Sequence, residues 1–363
     1  MKARIKKTDL VAFKIHASQI SKSKELPILD YLKIEVIGDF VSITKTNLIA
    51  FAIQTTANDS EDCCFLVDEN ILFNFVELSD SEYINFVVTG LRVKISDDRH
   101  NTSSQTESTN IYPKFELKDN KWVELDDSVL TAVGICAQIV FDDELTGLKN
   151  SVFIGDDAVA GSDATIGYWQ KFNKELPKMV LRKNVAYSVS KLKSCSHSDN
   201  GQYNLFKSGD VLFGFSKSEV PYTYLLPFFK EPKPDAKASF YIHKQLLIKW
   251  NTFCINTCKS KSLTATFSAN QHRLDLELIE SKSEQNNSSY FDIVDGSGDF
   301  RFNPSTLNML LKVLPIDHIH FYPSETYVLN GSVVPKETPG ARVDRYYITD
   351  KDKTFMSAIM LIN

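Results

Sequence analysis

Histidine and cysteine are the residues in this sequence whose types and spacing suit metal binding. His318 and His320 alternate in the run DHIHFY, which places both side chains on one face of a strand. Cys254 and Cys258 lie about one helical turn apart. A structural zinc site needs four ligands at matched spacing, and neither pair has the additional partners. We therefore expect a polar strand face, buried thiols and no metal or other cofactor.

Motifs for catalysis are absent from the sequence. It contains no glycine-rich phosphate loop, no Gly-X-Ser-X-Gly elbow and no His-Glu-X-X-His motif. Cys195 and His197 form one further close pair without additional ligands. We expect a protein without enzymatic activity. An enzyme that uses His318 and His320 is an alternative that the sequence leaves open.

The bulk composition is that of a globular protein. The chain has 363 residues, a formal net charge of −5 and 43% hydrophobic residues, which is enough for more than one core. No apolar run reaches the roughly 20 residues of a membrane helix. The basic N-terminus is not followed by the apolar segment of a signal peptide, and six cysteines are few for this length. These features predict a cytoplasmic protein without a membrane partner.

A pattern of strand, helix and further strands recurs along the chain. Short amphipathic helices follow a strand within 65–78, 179–193 and 300–314. Longer ones alternate with them within 5–20, 123–140 and 240–255. The recurrence predicts an α+β fold of three tandem domains with similar topology. The expected domains are 1–118, 119–232 and 233–363.

The segment LPILDYLKIEVIGDFVSITKTN, residues 26–47, predicts the hairpin that follows the first helix. Two alternating apolar runs flank Gly38 and Asp39, which have the chemistry of a tight turn. Pro27 cannot donate a backbone hydrogen bond, so we expect it at the start of the first strand.

Four stretches resemble the bacterial sliding clamp family, the beta subunit of DNA polymerase III. The hairpin of 26–47 resembles the family's early Leu-Pro-Ile-Leu and Thr-Asp-Leu segment. EVPYTYLLP at 219–227 is similar to the segment that closes the middle domain. FRFNPSTLNMLLKVL at 300–314 is similar to a helix start in the last domain, and FMSAIMLIN to the final apolar strand. Each motif is weak alone, but together they span the chain in the family's order.

The resemblance implies a DNA sliding clamp built from three clamp domains. In that fold helices line the inside of a ring, antiparallel sheets form the outside, and two chains join head to tail as a homodimer. The ring would encircle double-stranded DNA, independently of sequence, as a processivity factor in DNA replication. DNA polymerase and the clamp loader would bind it through a linear peptide motif.

A ring around DNA needs basic residues on its helices, because phosphate contacts hold a duplex of any sequence. The segments 180–198 and 241–263 contain no acidic residue, and 6–24 contains one. On this charge pattern the residues expected to face DNA are Lys22, Lys24, Arg182, Lys183, Lys191, Lys193, Lys244 and Lys249.

Two helices depart from this charge pattern. The helix within 65–78 carries three acids, and the helix within 123–140 has acids at 126–127 before it and at 142–144 after it. Asp68 and Asp126 suit helix N-termini, whereas the acids at 142–144 have no such explanation. We expect weaker DNA contact than in other clamps. A clamp-fold adaptor that binds protein and does not load on DNA is the second class of function left open.

The resemblance also implies a partner-peptide groove formed by the middle and last domains. Asp163 is kept from the family's Thr-Asp-Gly-His-Arg-Leu, the Arg and His are lost, and Thr306 replaces a Tyr. The changed lining implies an unusual partner motif. The implied groove residues are Leu148, Ser162, Ala164, Ile166, Pro221, Leu225, Asn303, Thr306, Ile359, Met360 and Leu361.

The edge of the first domain is where the family forms its dimer contact through apolar side chains. Here that edge falls in TSSQTESTN, residues 102–110, which is polar. We expect a ring that is weak or sensitive to salt.

Overall fold

The structure is a computed structural model of the whole chain. It describes residues 1–20, 26–115, 121–141, 150–163, 165–218, 220, 240–257, 264–270, 273–280, 283–290, 299–323, 327–329, 332–334, 338, 342–343, 345–350 and 355–360. In this part of the chain, α-helices alternate with antiparallel strands, which confirms the α+β class. No helix among these residues has both the length and the apolar character needed to cross a membrane.

In the described part of the chain, each third contributes two α-helices. The first third contains β1 (Lys2–Lys6), α1 (Lys7–Ala17), β2 (Tyr31–Ile37), β3 (Phe40–Thr46), β4 (Ala50–Ala57), β5 (Cys63–Asp68), α2 (Glu69–Leu78), β6 (Tyr83–Thr89), β7 (Arg92–Ser96) and β8 (Asn101–Gln105). The second contains β9 (Val123–Leu125), α3 (Asp127–Ile139), β10 (Ser151–Ser162), β11 (Ile166–Arg182), α4 (Lys183–Val189), β12 (Cys195–Asp199), β13 (Tyr203–Ser208) and β14 (Val211–Ser216).

The last third begins in the same way and ends in shorter strands. Its elements are β15 (Phe240–His243), α5 (Lys244–Thr257), β16 (Thr264–Asn270), β17 (Arg273–Glu280), β18 (Ser283–Tyr290), β19 (Asp299–Phe302), α6 (Pro304–Val313), β20 (His318–Pro323), β21 (Tyr327–Leu329), β22 (Ser332–Val334), β23 (Arg342–Val343), β24 (Arg345–Thr349) and β25 (Phe355–Met360). The order strand, helix, three strands, repeated from β1, β5 and β15, is the recurrence that the sequence predicts.

The hairpin predicted within 26–47 is present as β2 and β3. Ile37 pairs with Phe40 around a turn in which Gly38 has a φ of 55°, a conformation that favours glycine. The prediction for Pro27 was wrong in detail, because Pro27–Asp30 forms a 3₁₀ turn and the strand begins at Tyr31. A proline suits the first position of such a turn, since that position needs no backbone donor.

Contacts divide the chain into two units. Unit 1 comprises 1–127 and 192–217, and unit 2 comprises 128–191 and 218–363. Each unit therefore combines segments from different expected domains, because β4 of the first third pairs with β14 of the second, and β11 of the second third pairs with β25 of the last. The division into three domains at 118 and 232 stays a prediction.

Unit 1 contains a four-stranded sheet, β1-β6-β7-β8, and an eight-stranded sheet, β5-β2-β3-β4-β14-β13-β12-β9. The eight-stranded sheet is joined at its middle, where β4 pairs with β14 and Phe51 lies opposite Gly214. A β-carbon on Gly214 would lie 2.2 Å from the Phe51 ring, so only glycine fits there. Phe51 also stacks on Phe115 with ring centroids 4.0 Å apart. Aromatic packing thus reinforces the junction between the two half-sheets.

Unit 2 repeats this arrangement. Its six-stranded sheet, β10-β11-β25-β24-β20-β15, is joined where Ile166 of β11 lies opposite Ile359 of β25. A separate four-stranded sheet has the order β18-β17-β16-β19, and β21–β23 form a small third sheet. Helices α5 and α6 carry the buried leucines Leu247, Leu307 and Leu310. Asn303 caps α6 by accepting a hydrogen bond from the Ser305 N–H at 2.9 Å, a role that asparagine favours at a helix start.

A buried ion pair lies in unit 1 between Lys45 of β3 and Glu69 of α2. The Lys45 Nζ is 2.6 Å from the Glu69 Oε1, and the two side chains are 3% and 9% exposed. The second Glu69 oxygen has no hydrogen-bond partner among the residues that the structure describes. Removing either side chain would leave the other charge in the core without compensation, which makes the pair costly to break.

We predict that Lys45→Met lowers the free energy of unfolding by about 3–5 kcal/mol, because it leaves the Glu69 carboxylate buried and unpaired. The double variant Lys45→Met/Glu69→Leu should recover most of that loss, because the desolvation penalty disappears together with the pair. Urea denaturation of the wild type, both single variants and the double variant measures the coupling. Additive losses in the double variant would contradict this account.

Candidate nucleic-acid and peptide interfaces

The acid-free segment around α4 presents several of the cations expected to face DNA. Arg182, at the end of β11, is exposed, and Lys183 is half-buried. Lys191 is exposed and holds its ammonium 4.6 Å from the centre of the Tyr187 ring, which is itself 51% exposed. Lys193 is exposed in unit 1. Four predicted cations are therefore accessible to an anionic ligand.

Lys244 has a different role from the one expected. It is the first residue of α5 and is 8% exposed, and its Nζ donates to the Leu314 carbonyl at 2.7 Å. Leu314 is the C-cap of α6, so the ammonium compensates the negative end of that helix. The cation is thereby engaged away from solvent, and we remove Lys244 from the set proposed to contact DNA.

A lysine also binds the C-cap carbonyl of a neighbouring helix in unit 1, so the first and last thirds of the chain share this feature. Lys7 is the first residue of α1, and its Nζ donates to the carbonyl of Ser79, the C-cap of α2. In the middle repeat Asp127 begins the longer helix in place of a lysine. The sequence already shows this difference, because a lysine begins the longer helix in the first and last repeats but not in the middle one.

The exposed faces of α1 and α5 are less basic than the sequence suggested. Lys14 of α1 pairs with Glu77 of α2, which neutralises it, and the exposed face of α1 carries Val11 and Ile15. In α5, Lys249 is exposed. Lys22 and Lys24 lie outside the described residues.

The groove predicted for partner peptides includes a tight turn between β10 and β11. Ser162 Oγ donates to the Ile166 carbonyl at 2.8 Å, and Asp163 Oδ1 accepts from the N–H groups of Thr165 and Ile166 at 2.7 Å. Ser162 and Ile166 are 3% and 0% exposed, so they shape the turn and contribute little surface for a partner. The kept Asp163 is thus explained by the turn alone.

The remaining groove residues are divided between the described and the other parts of the chain. Asn303 uses its side-chain oxygen to cap α6, and Thr306 is half-buried on the first turn of that helix. Ile359 and Met360 belong to β25, beside Ile166. The groove residues that lie outside the described residues are Leu148, Ala164, Pro221, Leu225 and Leu361.

The first unit contains a copy of the same turn, which the sequence reasoning missed. Thr46 Oγ1 donates to the Ala50 carbonyl at 2.9 Å, and Asn47 Oδ1 accepts from Ile49 and Ala50 N–H groups. The signal was the pair of hydroxyl and Asx residues before each strand, Thr46-Asn47 and Ser162-Asp163. Both turns sit beside the strand pairings that join half-sheets.

The candidate metal ligands do not form a site among the described residues. Cys195 and His197 are buried, and His197 Nε2 lies 3.2 Å from Asn204 Oδ1. Burial raises the pKa of the Cys195 thiol to about 12 and lowers the pKa of His197, so both stay neutral. His318 packs on His243 with ring centroids 4.7 Å apart, a neighbour that sequence spacing did not suggest. In the described ranges no three metal-binding side chains cluster.

Two half-sheets of the chain end without a strand partner among the described residues. The sheet β1-β6-β7-β8 ends at β8, and the sheet β19-β16-β17-β18 ends at β18. Their counterparts elsewhere in the chain do have partners, because β14 pairs with β4 and β25 pairs with β11. In the described part of the chain, two such junctions are present, and β8 and β18 have no second strand beside them.

We predict that Lys244→Gln lowers the free energy of unfolding by about 1.5–3 kcal/mol, because it removes a buried charged hydrogen bond, and leaves DNA affinity unchanged. Lys249→Gln, an equivalent change at an exposed position of the same helix, should lower DNA affinity without changing stability. Chemical denaturation and DNA-binding titrations of both variants provide the comparison. A loss of DNA affinity in a stably folded Lys244→Gln protein would contradict the assignment.

Solved structures of bacterial DNA polymerase III beta subunits have this architecture. No family model and no curated protein sequence matches the chain. The DNA polymerase III subunit beta of Pseudomonas aeruginosa superposes with a TM-score of 0.84 at 12% identity, covering 100% of both chains. A putative beta subunit from Eubacterium rectale gives 0.83 at 13% identity, again over 100% of both. A Caulobacter crescentus beta sliding clamp, with polyethylene glycol at its putative beta-motif tethering region, gives 0.82 at 12% over 100% of this chain and 99% of that one. The chain therefore has the fold of the bacterial sliding clamp, the DNA polymerase III beta subunit.

Proposed function

We propose that the protein is a cytoplasmic DNA sliding clamp that forms a ring by pairing β8 of one copy with β18 of a second. The observation that carries the proposal is the repeat of strand junctions. Two junctions are complete within the chain, and the open edges at β8 and β18 are the two halves of one more. Pairing both open edges with a second copy in a head-to-tail arrangement would give a closed homodimer.

The repeat also specifies the register of this seam. Aligning the repeats on their helix starts and strand pairings puts Ser283 at the position of Ala50, and Ser104 at that of Phe215. Because Ala50 pairs with Phe215, Ser283 is expected opposite Ser104 of the partner copy. Glu284 is then expected opposite Ser103.

The seam should be weaker than the junctions within the chain. The β4–β14 junction buries Ala52, Phe51 and Phe213, whereas β8 reads NTSSQ and the facing part of β18 reads SEQNN. Backbone hydrogen bonds stabilise by only about 0.5–1.5 kcal/mol each, and little apolar burial would be added to them. The ring would therefore open at this seam in preference to the two junctions, which provides a route for DNA to enter.

Accessible cations support sequence-independent contact with duplex DNA. Arg182, Lys183, Lys191, Lys193 and Lys249 are exposed or half-buried, and no acid occurs in 180–198. Phosphate contacts from such residues hold DNA without reading its bases. With Lys244 buried, the set is smaller than expected from the sequence, which suits weak contact that allows sliding.

A peptide groove in unit 2 would recruit DNA polymerase and the clamp loader through a linear motif. The turn at 162–166 beside β25 supports this proposal, as does the tethering region named for the Caulobacter crescentus clamp. Apolar residues at 359–361 would receive an apolar anchor of the partner. The function is one of binding and tethering, with no catalytic step.

A clamp-fold adaptor that does not load on DNA is the second candidate. It is favoured by the exposed Val11 and Ile15 on α1 and by the absence of basic residues on α3. Such surfaces suit a protein partner better than a phosphate backbone.

We expect the protein to stay bound to nicked circular DNA in moderate salt and to dissociate when the circle is cut once. Encirclement is topological, so a DNA end releases the ring without any change in contacts. Gel filtration of the complexes before and after cutting measures retention. Equal retention on circular and linear DNA would contradict encirclement, and failure to bind either form would favour the adaptor.

A further inference from the structure

A second basic surface lies on the four-stranded sheet of unit 1, separate from the helices. In β1, Lys2, Arg4 and Lys6 are exposed, whereas the alternate residues Ala3 and Ile5 are buried. Because successive side chains of a strand point to opposite sides, the three cations share one face. They recur about every 6.6 Å along the strand.

Strand pairing adds two more cations to the same face. Lys2 lies opposite Val87 of β6, and Val87 lies opposite Lys94 of β7; Arg92 lies opposite Thr89. Residues paired directly across strands point to the same side of a sheet. We call the outward surface of β1, β6, β7 and β8 the basic sheet face; its cations are Lys2, Arg4, Lys6, Arg92 and Lys94.

No carboxylate lies on the basic sheet face. The remaining outward residues of its four strands are Tyr, Val, or side chains with hydroxyl or amide groups. None of the five cations forms an ion pair among the described residues, unlike Lys14 and Lys45. The guanidinium of Arg4 lies 3.9 Å from the centre of the Tyr83 ring. In a chain with a net charge of −5, five unpaired cations on one face form a local positive field.

The basic sheet face also has a concave region suited to anions. A depression of about 550 Å³ is lined by Arg92 and Lys94 together with Thr89, Val87 and residues 101–103, which supply hydroxyl and amide groups. Arginine, lysine, hydroxyl and amide side chains are the groups that contact phosphate oxygens in nucleic-acid complexes. The opposite side of this sheet belongs to the core, where the ring centroids of Phe86 and Phe65 lie 5.5 Å apart.

We propose that the basic sheet face binds the phosphate backbone of nucleic acid without reading its bases. Counterion release from a phosphate backbone provides affinity without apolar burial. Binding of an acidic protein partner would normally need an apolar contact that excludes water. The basic sheet face offers for this only Val87 and the Tyr83 ring, which Arg4 already covers. The shortage of free aromatic rings also excludes base stacking as the source of affinity. This surface would bind a DNA segment separate from any duplex that the ring encircles. Such binding does not depend on closure of the ring.

The test is the affinity of the full-length protein for short linear DNA, single-stranded and duplex, of about 20 nucleotides or base pairs at several salt concentrations. The variant Arg92→Glu/Lys94→Glu should bind both at least about tenfold more weakly, with a salt slope reduced by about 2. The matched control Lys121→Glu/Lys207→Glu changes the net charge equally at two exposed positions of unit 1 and should bind like the wild type. Thermal unfolding should be unchanged in both, because Arg92 and Lys94 are exposed.

Three results would overturn the proposal. One is an equal loss in the control variant, which would indicate a general effect of net charge. Another is loss of short-DNA binding only in Arg182→Glu/Lys183→Glu, which would locate that binding at the helices. The third is binding of polyglutamate to the basic sheet face that short DNA does not displace, which would indicate an acidic protein partner. Retention on circular DNA is measured separately, so failure here leaves the proposed ring untouched.

Discussion

Edge strands impose the constraint on which the rest of this structure depends. A strand at the end of a sheet exposes a row of N–H and C=O groups that can pair with another strand. Inside the chain, this need is met twice, by β4 with β14 and by β11 with β25. In its repeat, β8 has the position of β14, and β18 has that of β4. Neither β8 nor β18 has a second strand neighbour in the described part of the chain. The proposed pairing of two copies rests on that difference.

The cost of placing charge inside a protein explains which lysines remain available for ligands. Lys45 is held by Glu69 in the core, and Lys7 and Lys244 are held by the carbonyls at helix ends. These cations stabilise the fold and are not free to meet phosphate. The accessible positive charge is found instead around α4 and on the sheet surface formed by β1 and β7. The net charge of the chain predicts neither location.

Local pattern was enough to predict the repeat and the hairpin of β2 and β3, because each depends on residues close in sequence. The buried hydrogen bond of Lys244 was not predictable in the same way, since its acceptor Leu314 lies 70 residues away. The same holds for Lys14, whose ion-pair partner Glu77 lies 63 residues away. For the groove, the resemblance named Ser162 as a lining residue and Asp163 as a kept one, but not that both residues form a turn. The basic sheet face was visible as the alternation KARIK and RVKIS, but only the pairing of β1 and β7 with β6 brings the two strands together.

Covalent capture across the proposed seam tests the central claim most directly. Ser103→Cys and Glu284→Cys are expected to face each other only between two copies, so a chain carrying both should give a cross-linked dimer with a short thiol cross-linker. Each single variant should remain uncross-linked, because a head-to-tail seam places its one new cysteine opposite an unaltered residue. Efficient cross-linking of either single variant, or a double variant that stays monomeric, would contradict head-to-tail pairing of β8 with β18.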